Sequence, residues 1–312
     1  MAGVVEVVVV GSCNTDLITY TARFPNPGET IHGHSFSIGF GGKGANQAVC
    51  AARLGASTAM IGKVGNDTFG NDTTKNFQNN NINIDHLGME DGTSTGTAVI
   101  TVDESGQNSI VIVNGANSLL SKSDVSAAEP MIARAKILVC QLEVEPEVSI
   151  AAMKLARQHN VMTLFNPAPA RANLPPDAWT LCDVFCPNEA EAEMFAGMPV
   201  KAKEDAEKAS LFFLDKGCKI VIITLGDKGA VYVTQENRTP VHVPCRVTKV
   251  VDTTGAGDAF AGALAYYMAC HPGLAIGQVI RRSCEIARMS VQHSGTQNSY
   301  PVRQQIPDEL FL

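Results

Sequence analysis

The sequence has little that would commit it to a charged surface, a metal cluster or a membrane. Only 18% of its 312 residues are charged, and 24 basic against 31 acidic residues leave a net charge of −7. That balance argues against a nucleic-acid or anionic-membrane partner. The nine cysteines are odd in number and scattered. The nearest pair, Cys182 and Cys186, stand four apart, so no CxxC zinc or redox pattern exists. Such usage fits buried thiols in a reducing compartment. No stretch approaches the ~20 apolar residues needed to cross a bilayer. The apolar start at Val4–Val10 lacks the basic lead of a secretion signal. These absences predict a cytoplasmic protein, with a nuclear location also compatible. The seven histidines show no HxxxH spacing and no GxSxG elbow occurs, which removes zinc-hydrolase and serine-hydrolase chemistry.

What is present is an ordinary globular composition, 45% apolar, which excludes disorder, collagen and coiled coil. Short β-branched runs alternate with amphipathic stretches. Unbroken apolar runs at 4–10, 58–64, 137–143, 161–166, 183–188 and 219–226 predict buried strands, with a further strand at 230–234. Helices are expected at 46–54, ended by Gly55, and at 146–160, 189–196, 205–216, 257–270 and 276–292. This β-α-β-α order predicts an α/β fold with a mostly parallel sheet flanked by helices, Rossmann-like. The first third differs. Alternating half-exposed runs around 12–20, 30–38 and 96–114 suit a small antiparallel sheet, with a hairpin turn at Ser105-Gly106. No linker separates the two patterns. The small sheet is therefore expected as a lid built from excursions at about 12–40 and 96–114 of a single domain spanning 1–312.

Two glycine-rich segments carry the chemistry. In Val251-Asp252-Thr253-Thr254-Gly255-Ala256-Gly257-Asp258, small residues precede a helix whose free N–H groups can receive a phosphate. Asp258 in that first turn is placed to take a proton from an attacking hydroxyl; it would equally cap the helix. In Gly39-Phe40-Gly41-Gly42-Lys43-Gly44-Ala45-Asn46, the match to GxGxxG is formal. No buried strand precedes it, and Val64 stands where a dinucleotide site needs an acid. A Walker A reading fails because Gly44 follows Lys43. A loop offering Lys43 and Asn46 to a polyol remains, beside the alternative of a tight turn with a solvated lysine. Asp16 follows the first strand and Glu143 ends another, where open α/β sheets bind ligands. Either could instead be a cap or a surface charge. Asn188 and Glu191 share a helix-start face that suits hydrated Mg²⁺, or a capped acidic turn. Thr224-Leu225-Gly226-Asp227-Lys228-Gly229 could cradle nucleotide phosphates, or turn a hairpin.

Together these segments resemble the PfkB carbohydrate kinase family, over nearly the whole chain from VVVVGSCNTDL to SGTQNSYP. GGKGANQA and DTTGAGD are the specific motifs, and the GKGAN form resembles the ribose-phosphorylating branch. The resemblance implies ATP-dependent phosphorylation of D-ribose at the 5-hydroxyl, yielding ribose 5-phosphate and ADP. It implies Asp258 as catalytic base, with Gly255, Ala256 and Gly257 as anion hole. Asn14, Thr15, Asp16, Gly42, Lys43, Gly44, Ala45, Asn46 and Glu143 would contact ribose together with Asp258. Asn188, Thr224, Leu225, Gly226, Asp227, Lys228 and Gly229 would contact ATP, with Gly257, Asp258 and Cys284. Asp252, Thr254, Ser290, His293, Gly295 and Ser299 match a loop that holds K⁺. Asn188 and Glu191 match a motif holding Mg²⁺ through water. A homodimer is implied as well. The rival readings are a kinase for another sugar or a nucleoside, and a sugar-binding protein without catalysis.

Overall fold

The computed structural model describes residues 5–172 and 174–311. In chain order the strands are β1 Val7–Val10, β2 Asn14–Thr21, β3 Gly33–Gly41, β4 Thr58–Gly65, β5 Asn83–Glu90, β6 Gly96–Val102, β7 Asn108–Val113, β8 Ile137–Cys140, β9 Met162–Phe165, β10 Val184–Phe185, β11 Ile220–Thr224, β12 Ala230–Thr234 and β13 Val241–Val243. The helices are α1 Lys43–Leu54, α2 Thr68–Asn79, α3 Lys122–Ala127, α4 Glu129–Ile132, α5 Pro146–Gln158, α6 Asp177–Thr180, α7 Glu189–Ala196, α8 Lys203–Asp215, α9 Ala256–Cys270 and α10 Ile276–Ser290.

Nine strands form one sheet in the order β13-β12-β11-β10-β9-β8-β1-β4-β5. It is parallel from β5 to β11, and β12 and β13 add antiparallel at one edge. The unbroken Val7–Val10 run has a direct cause. Val7 and Val9 enter the core shared with α1, α9 and α10; Val8 and Val10 enter the opposite core under α5 and α8. Both faces are dry, so neither set of alternate residues can be polar.

The segment 66–95, given no element from sequence, contains α2 and β5. The sequence Thr68–Asn79 is polar and buries only Gly70, Thr73 and Phe77, too few apolar positions to register as a periodic face. Strand ends also move. The run 137–143 pairs to Cys140, 183–188 over Val184–Phe185 with one isolated bridge from Asn188 to Thr224, and 219–226 to Thr224. In each case the chain leaves the sheet where it reaches the site. The expected strand 4–10 begins at Val7, and Val4 lies outside the described residues.

The small sheet runs β3-β2-β6-β7. Its two outer pairs are antiparallel, while β2 and β6 pair in parallel, Asn14 opposite Gly96. Both of these strands leave the main sheet at the same edge of the site and run outward together, which fixes their shared direction. Neighbouring residues on β2 point to opposite faces. Asn14 and Asp16 therefore share one face and Thr15 takes the other, which removes the Thr15 side chain from the company expected for it.

Candidate active site at the joint of the two sheets

Helix α1 begins at Lys43, three residues earlier than the sequence pattern suggests. Lys43, Gly44, Ala45 and Asn46 thus form a helical first turn rather than a free loop. Glycine is required immediately before and inside it. Gly42 has φ +87°, and a Cβ there would lie 2.7 Å from Asn14 N. A Cβ on Gly44 would stand 2.7 Å from Ser12 N and 2.8 Å from the Gly11 backbone. The helix start is pressed onto the β1–β2 connection, and Ala45 N–H donates to Ser12 O at 2.9 Å.

Glu143 fastens the same corner. Its Oε2 accepts from Ser12 Oγ at 2.6 Å and from Lys43 N–H at 2.8 Å, which leaves Oε1 for a ligand. Asn14 Oδ1 accepts from Asn117 Nδ2 at 2.7 Å. Asp16 is buried opposite Gly39 and Ala98; a Cβ on Gly41 would fall 2.2 Å from its carboxylate. Small residues thus keep open space around that acid. Burial, then the nearby Glu143 and Asp258 charges, push Asp16 up to about 7.

Asp258 lies in the first turn of α9 and is buried. Its Oδ2 accepts from Asn46 Nδ2 and its Oδ1 from Gln47 Nε2, each at 2.9 Å. Gln47 is held in turn, since Gln141 Nε2 donates to its Oε1 at 2.7 Å and its Nε2 also reaches Asn166 Oδ1 at 3.0 Å. Asn46 Oδ1 accepts from Gln297 Nε2 at 3.0 Å. These amides fix both oxygens of the acid. Gln47, Gln141, Asn166 and Gln297 were not among the sequence candidates. One signal was available: Gln141 interrupts the apolar run 137–143 two residues before Glu143.

Gly255, the residue before α9, has φ +76°, and no side chain caps the helix. Of the amides expected as an anion hole, that of Ala256 turns back to Thr253 O at 3.2 Å. Those of Gly255, Gly257 and Asp258 have no protein acceptor among the described residues. The open N–H groups are therefore one residue off the predicted set. Lys43 is half-buried nearby. Burial pulls its ammonium down, but the carboxylates of Asp258, Glu143 and Glu191 outweigh that and hold it above its ordinary value.

Beside the start of α9 opens a cavity of about 290 Å³. Thr224, Gly226, Asp227, Gly229 and Cys284 line it, together with Ala256, Gly257 and Phe260. Most of the segment expected to meet nucleotide is there. Leu225 is not: its side chain is buried in the core. Lys228 lies off the wall, its carbonyl accepting from His242 Nε2. Both departures follow from the tight turn Gly226–Lys228 joining β11 to β12. Asn188 does not line the cavity but bridges the wall residue Thr224, and with Glu191 it forms a capping box: Glu191 N–H donates to Asn188 Oδ1 at 2.8 Å, and Asn188 N–H to Glu191 Oε2 at 2.9 Å. One oxygen of a buried Glu191 remains. Burial raises that acid, which the Asn188 bond and Lys43 only partly oppose. The donor set fits a hydrated divalent ion at Glu191 and offers no direct ligand atom from Asn188.

Asp252 joins two loops. Thr254 N–H donates to its Oδ1 and Gly295 N–H to its Oδ2, both at 2.9 Å. Burial works against its charge, but these bonds prevail and hold it below the usual carboxylate range. Tyr300 Oη donates to Gly255 O at 3.0 Å, and Val251 and Asp252 N–H both reach Val291 O. Facing Asp252 are Ser290, the last residue of α10, and in the segment after it an exposed His293, Gly295 and Ser299. Hydroxyl and carbonyl oxygens and one ionised carboxylate gather here, a set that fits an alkali-metal ion.

The pfkB family carbohydrate kinase model matches residues 5–303. Mouse ribokinase is 52% identical over 305 residues, covering 98% of this chain and 94% of the mouse protein. Salmonella typhi deoxyribokinase is 39% identical, covering 98% of this chain and 99% of that one. The structure of Arabidopsis thaliana ribokinase complexed with ribose and ATP superposes with a TM-score of 0.90 at 30% identity, over 99% of this chain and all of that one. A buried acid at an uncapped helix start, a cavity beside it, and likeness that runs from end to end lead to one assignment: the chain belongs to the pfkB family of carbohydrate kinases.

Proposed function

We propose that the protein transfers the γ-phosphoryl group of ATP to the 5-hydroxyl of D-ribose, giving ribose 5-phosphate and ADP. The placement of Asp258 carries this reading. A buried carboxylate, oriented by two amides, stands between the sugar-side corner and the open N–H groups at the cavity mouth. The sugar lies against Asp16 and Glu143, whose unpaired oxygens suit adjacent hydroxyls, against the Lys43 ammonium, and beside Asn46, whose amide already bonds Gln297 and Asp258. Asp258 takes the proton as the 5-oxygen bonds to phosphorus and the β–γ bridging oxygen leaves with ADP. The Gly257 and Asp258 N–H groups, with Lys43, meet the charge on the transferred group. Mg²⁺ held through water by Glu191 would neutralise phosphate charge. The four-stranded sheet is the lid that excludes water from the acceptor site.

Release of ADP, followed with ribose, 2-deoxyribose, fructose and adenosine, tests the reading. Ribose is expected to give the highest kcat/KM. A higher value for another acceptor would reassign the substrate, and binding of ribose by calorimetry without ADP release would leave a sugar-binding protein.

Potassium is expected to activate the enzyme more than sodium. Asp252 and Thr254 lead into Gly255, so a cation on that loop would set the direction of the N–H groups without touching substrate. Misdirecting one such donor commonly costs ~10²-fold. Rates at pH 8 and fixed ionic strength in KCl, NaCl and a tetraalkylammonium chloride check this; three equal rates would remove the cation from the mechanism.

The outward face of the lid carries Phe36, Ile38, Val99 and Val111, all exposed, and pairing places Ile38, Val99 and Val111 in one row across Leu17 and its neighbours. We infer a homodimer formed through this face, since a monomer gains nothing from wetting it. Val111→Asp is expected to shift light-scattering mass from dimer to monomer.

Asp16→Asn is expected to weaken ribose and stabilise the empty protein. Because the folded-state value lies above the ordinary 3.8, the folded protein retains a proton that the unfolded chain gives up. Its stability is full below pH 4, declines as pH rises toward about 7, and stays reduced above it. The variant should therefore melt higher than wild type at pH 8, by roughly 2–4 °C per kcal/mol recovered, and equally at pH 4. Equal melting at pH 8 would show that Asp16 is not strained by burial.

A further inference from the structure

Two thiols stand together in the wall of the 290 Å³ cavity. Cys245 Sγ lies 4.0 Å from the Cys284 carbonyl oxygen, so the two residues are direct neighbours in that wall. Their settings differ. Cys284 is on α10 and 5% exposed, whereas Cys245 is half-buried on the irregular segment 244–250. The neighbouring Cys284 thiol holds Cys245 below the ordinary thiol value despite its burial. The same neighbour, with burial, pushes Cys284 up. Cys245 is thus the thiol that a solvent oxidant reaches first, with the buried Cys284 thiol behind it.

No other cysteine repeats this arrangement. Seven of the nine are buried, and Cys270 is the other half-buried one. Cys270 donates to Glu6 Oε2 at 3.3 Å, and burial together with that carboxylate pushes it up to about 12. Cys182 and Cys218 also neighbour each other, but both are 1% exposed or less and cannot meet an oxidant.

We propose that Cys245 and Cys284 form a modifiable dithiol which a hydroperoxide converts to a disulfide, shutting the cavity to nucleotide. The consequence for nucleotide rests on the reading of that cavity given above. The Cys245 thiolate attacks the terminal peroxide oxygen, the O–O bond breaks, and a sulfenic acid forms as the alcohol or water leaves. Cys284 sulfur then attacks the Cys245 sulfur; the sulfenic hydroxyl departs with the Cys284 proton as water. In total two thiols and one hydroperoxide give one disulfide, one alcohol and one water. Closing an S–S bond requires the two Cα atoms to sit within ~4.4–6.8 Å. The segment 244–250 has no helix or strand to resist that movement, unlike α10. Arg246, Val247, Thr248 and Val250 line the cavity on the same segment, so they are carried inward with Cys245.

Hydrogen peroxide titration of the full chain, with peptide mapping and ADP calorimetry on the same samples, tests this. The expected result is a Cys245–Cys284 linked peptide, ADP affinity weakened by about tenfold or more, and recovery with dithiothreitol. In Cys245→Ser the linked peptide and the peroxide-dependent loss should both disappear. In Cys284→Ala a dimedone adduct should accumulate at Cys245. Oxidation without the linked peptide, or inactivation of Cys245→Ser equal to that of wild type, would overturn the dithiol. A reversible linked peptide with unchanged ADP affinity, or no ADP binding to the reduced protein, would instead overturn the nucleotide reading of the cavity.

Discussion

Asp258→Asn is expected to lower kcat by about 10²–10⁴-fold, the usual worth of a general base, while ribose still binds. The amide keeps the shape and fills the same site. It cannot accept from both Asn46 Nδ2 and Gln47 Nε2, which now donate to the two carboxylate oxygens at 2.9 Å. One of those amides must turn or lose its partner. Gln47 is poorly able to turn, because Gln141 donates to its Oε1 and a reversed amide would set two N–H groups face to face. A moderate loss of stability should therefore accompany the loss of turnover, of about 1–3 kcal/mol for a buried donor left unpaired. Rapid-quench and steady-state rates, with calorimetric ribose binding on the same protein, separate the two effects. Turnover within tenfold of wild type would show that another group takes the proton.

Gly44→Ala is expected to damage both folding and catalysis, although it adds one methyl group. That methyl meets Ser12 N and the Gly11 backbone at 2.7–2.8 Å, and no side chain is there to rotate away. Either α1 lifts from the β1–β2 connection or the connection shifts. Overpacking of this kind typically costs 1–3 kcal/mol. The larger effect is positional. Lys43 N–H to Glu143, Ala45 N–H to Ser12 O, and Asn46 to Asp258 all radiate from the same turn. A displacement of about 1 Å at a reacting group can cost ~10²-fold. The expected outcome is a lowered Tm and a fall in kcat/KM for ribose exceeding that for ATP. Gly28→Ala is a suitable comparison for stability, having positive φ but nothing near its Cβ; it should leave kcat/KM unaltered. Wild-type kinetics in Gly44→Ala would show that the helix start need not be so closely seated.

The sequence by itself determined the parallel sheet and the two glycine segments. Strands such as Val7–Val10 must be apolar on every residue to pack between two helical layers, and that leaves an unambiguous mark. Helix starts rich in glycine are equally visible, because few other residues tolerate φ values such as those at Gly42 and Gly255. Tertiary structure decided which side chains meet. Gln47 and Gln141 are 94 residues apart and Asn46 and Asp258 are 212 apart, and no local pattern encodes such contacts. It also decided which of two local readings applied. Asn188 and Glu191 could be read as an ion motif or a cap; the fold engages the Asn188 carbonyl in the cap and leaves one Glu191 oxygen open. Thr15 and Asp16 are adjacent in sequence, yet the pleat of β2 sends them to opposite faces. Segment 66–95 stayed unread because α2 buries too few apolar groups to show its period; what orders it is the sheet edge and loops it packs against. In each of these cases the local chain permits several arrangements, and burial of distant groups selects one.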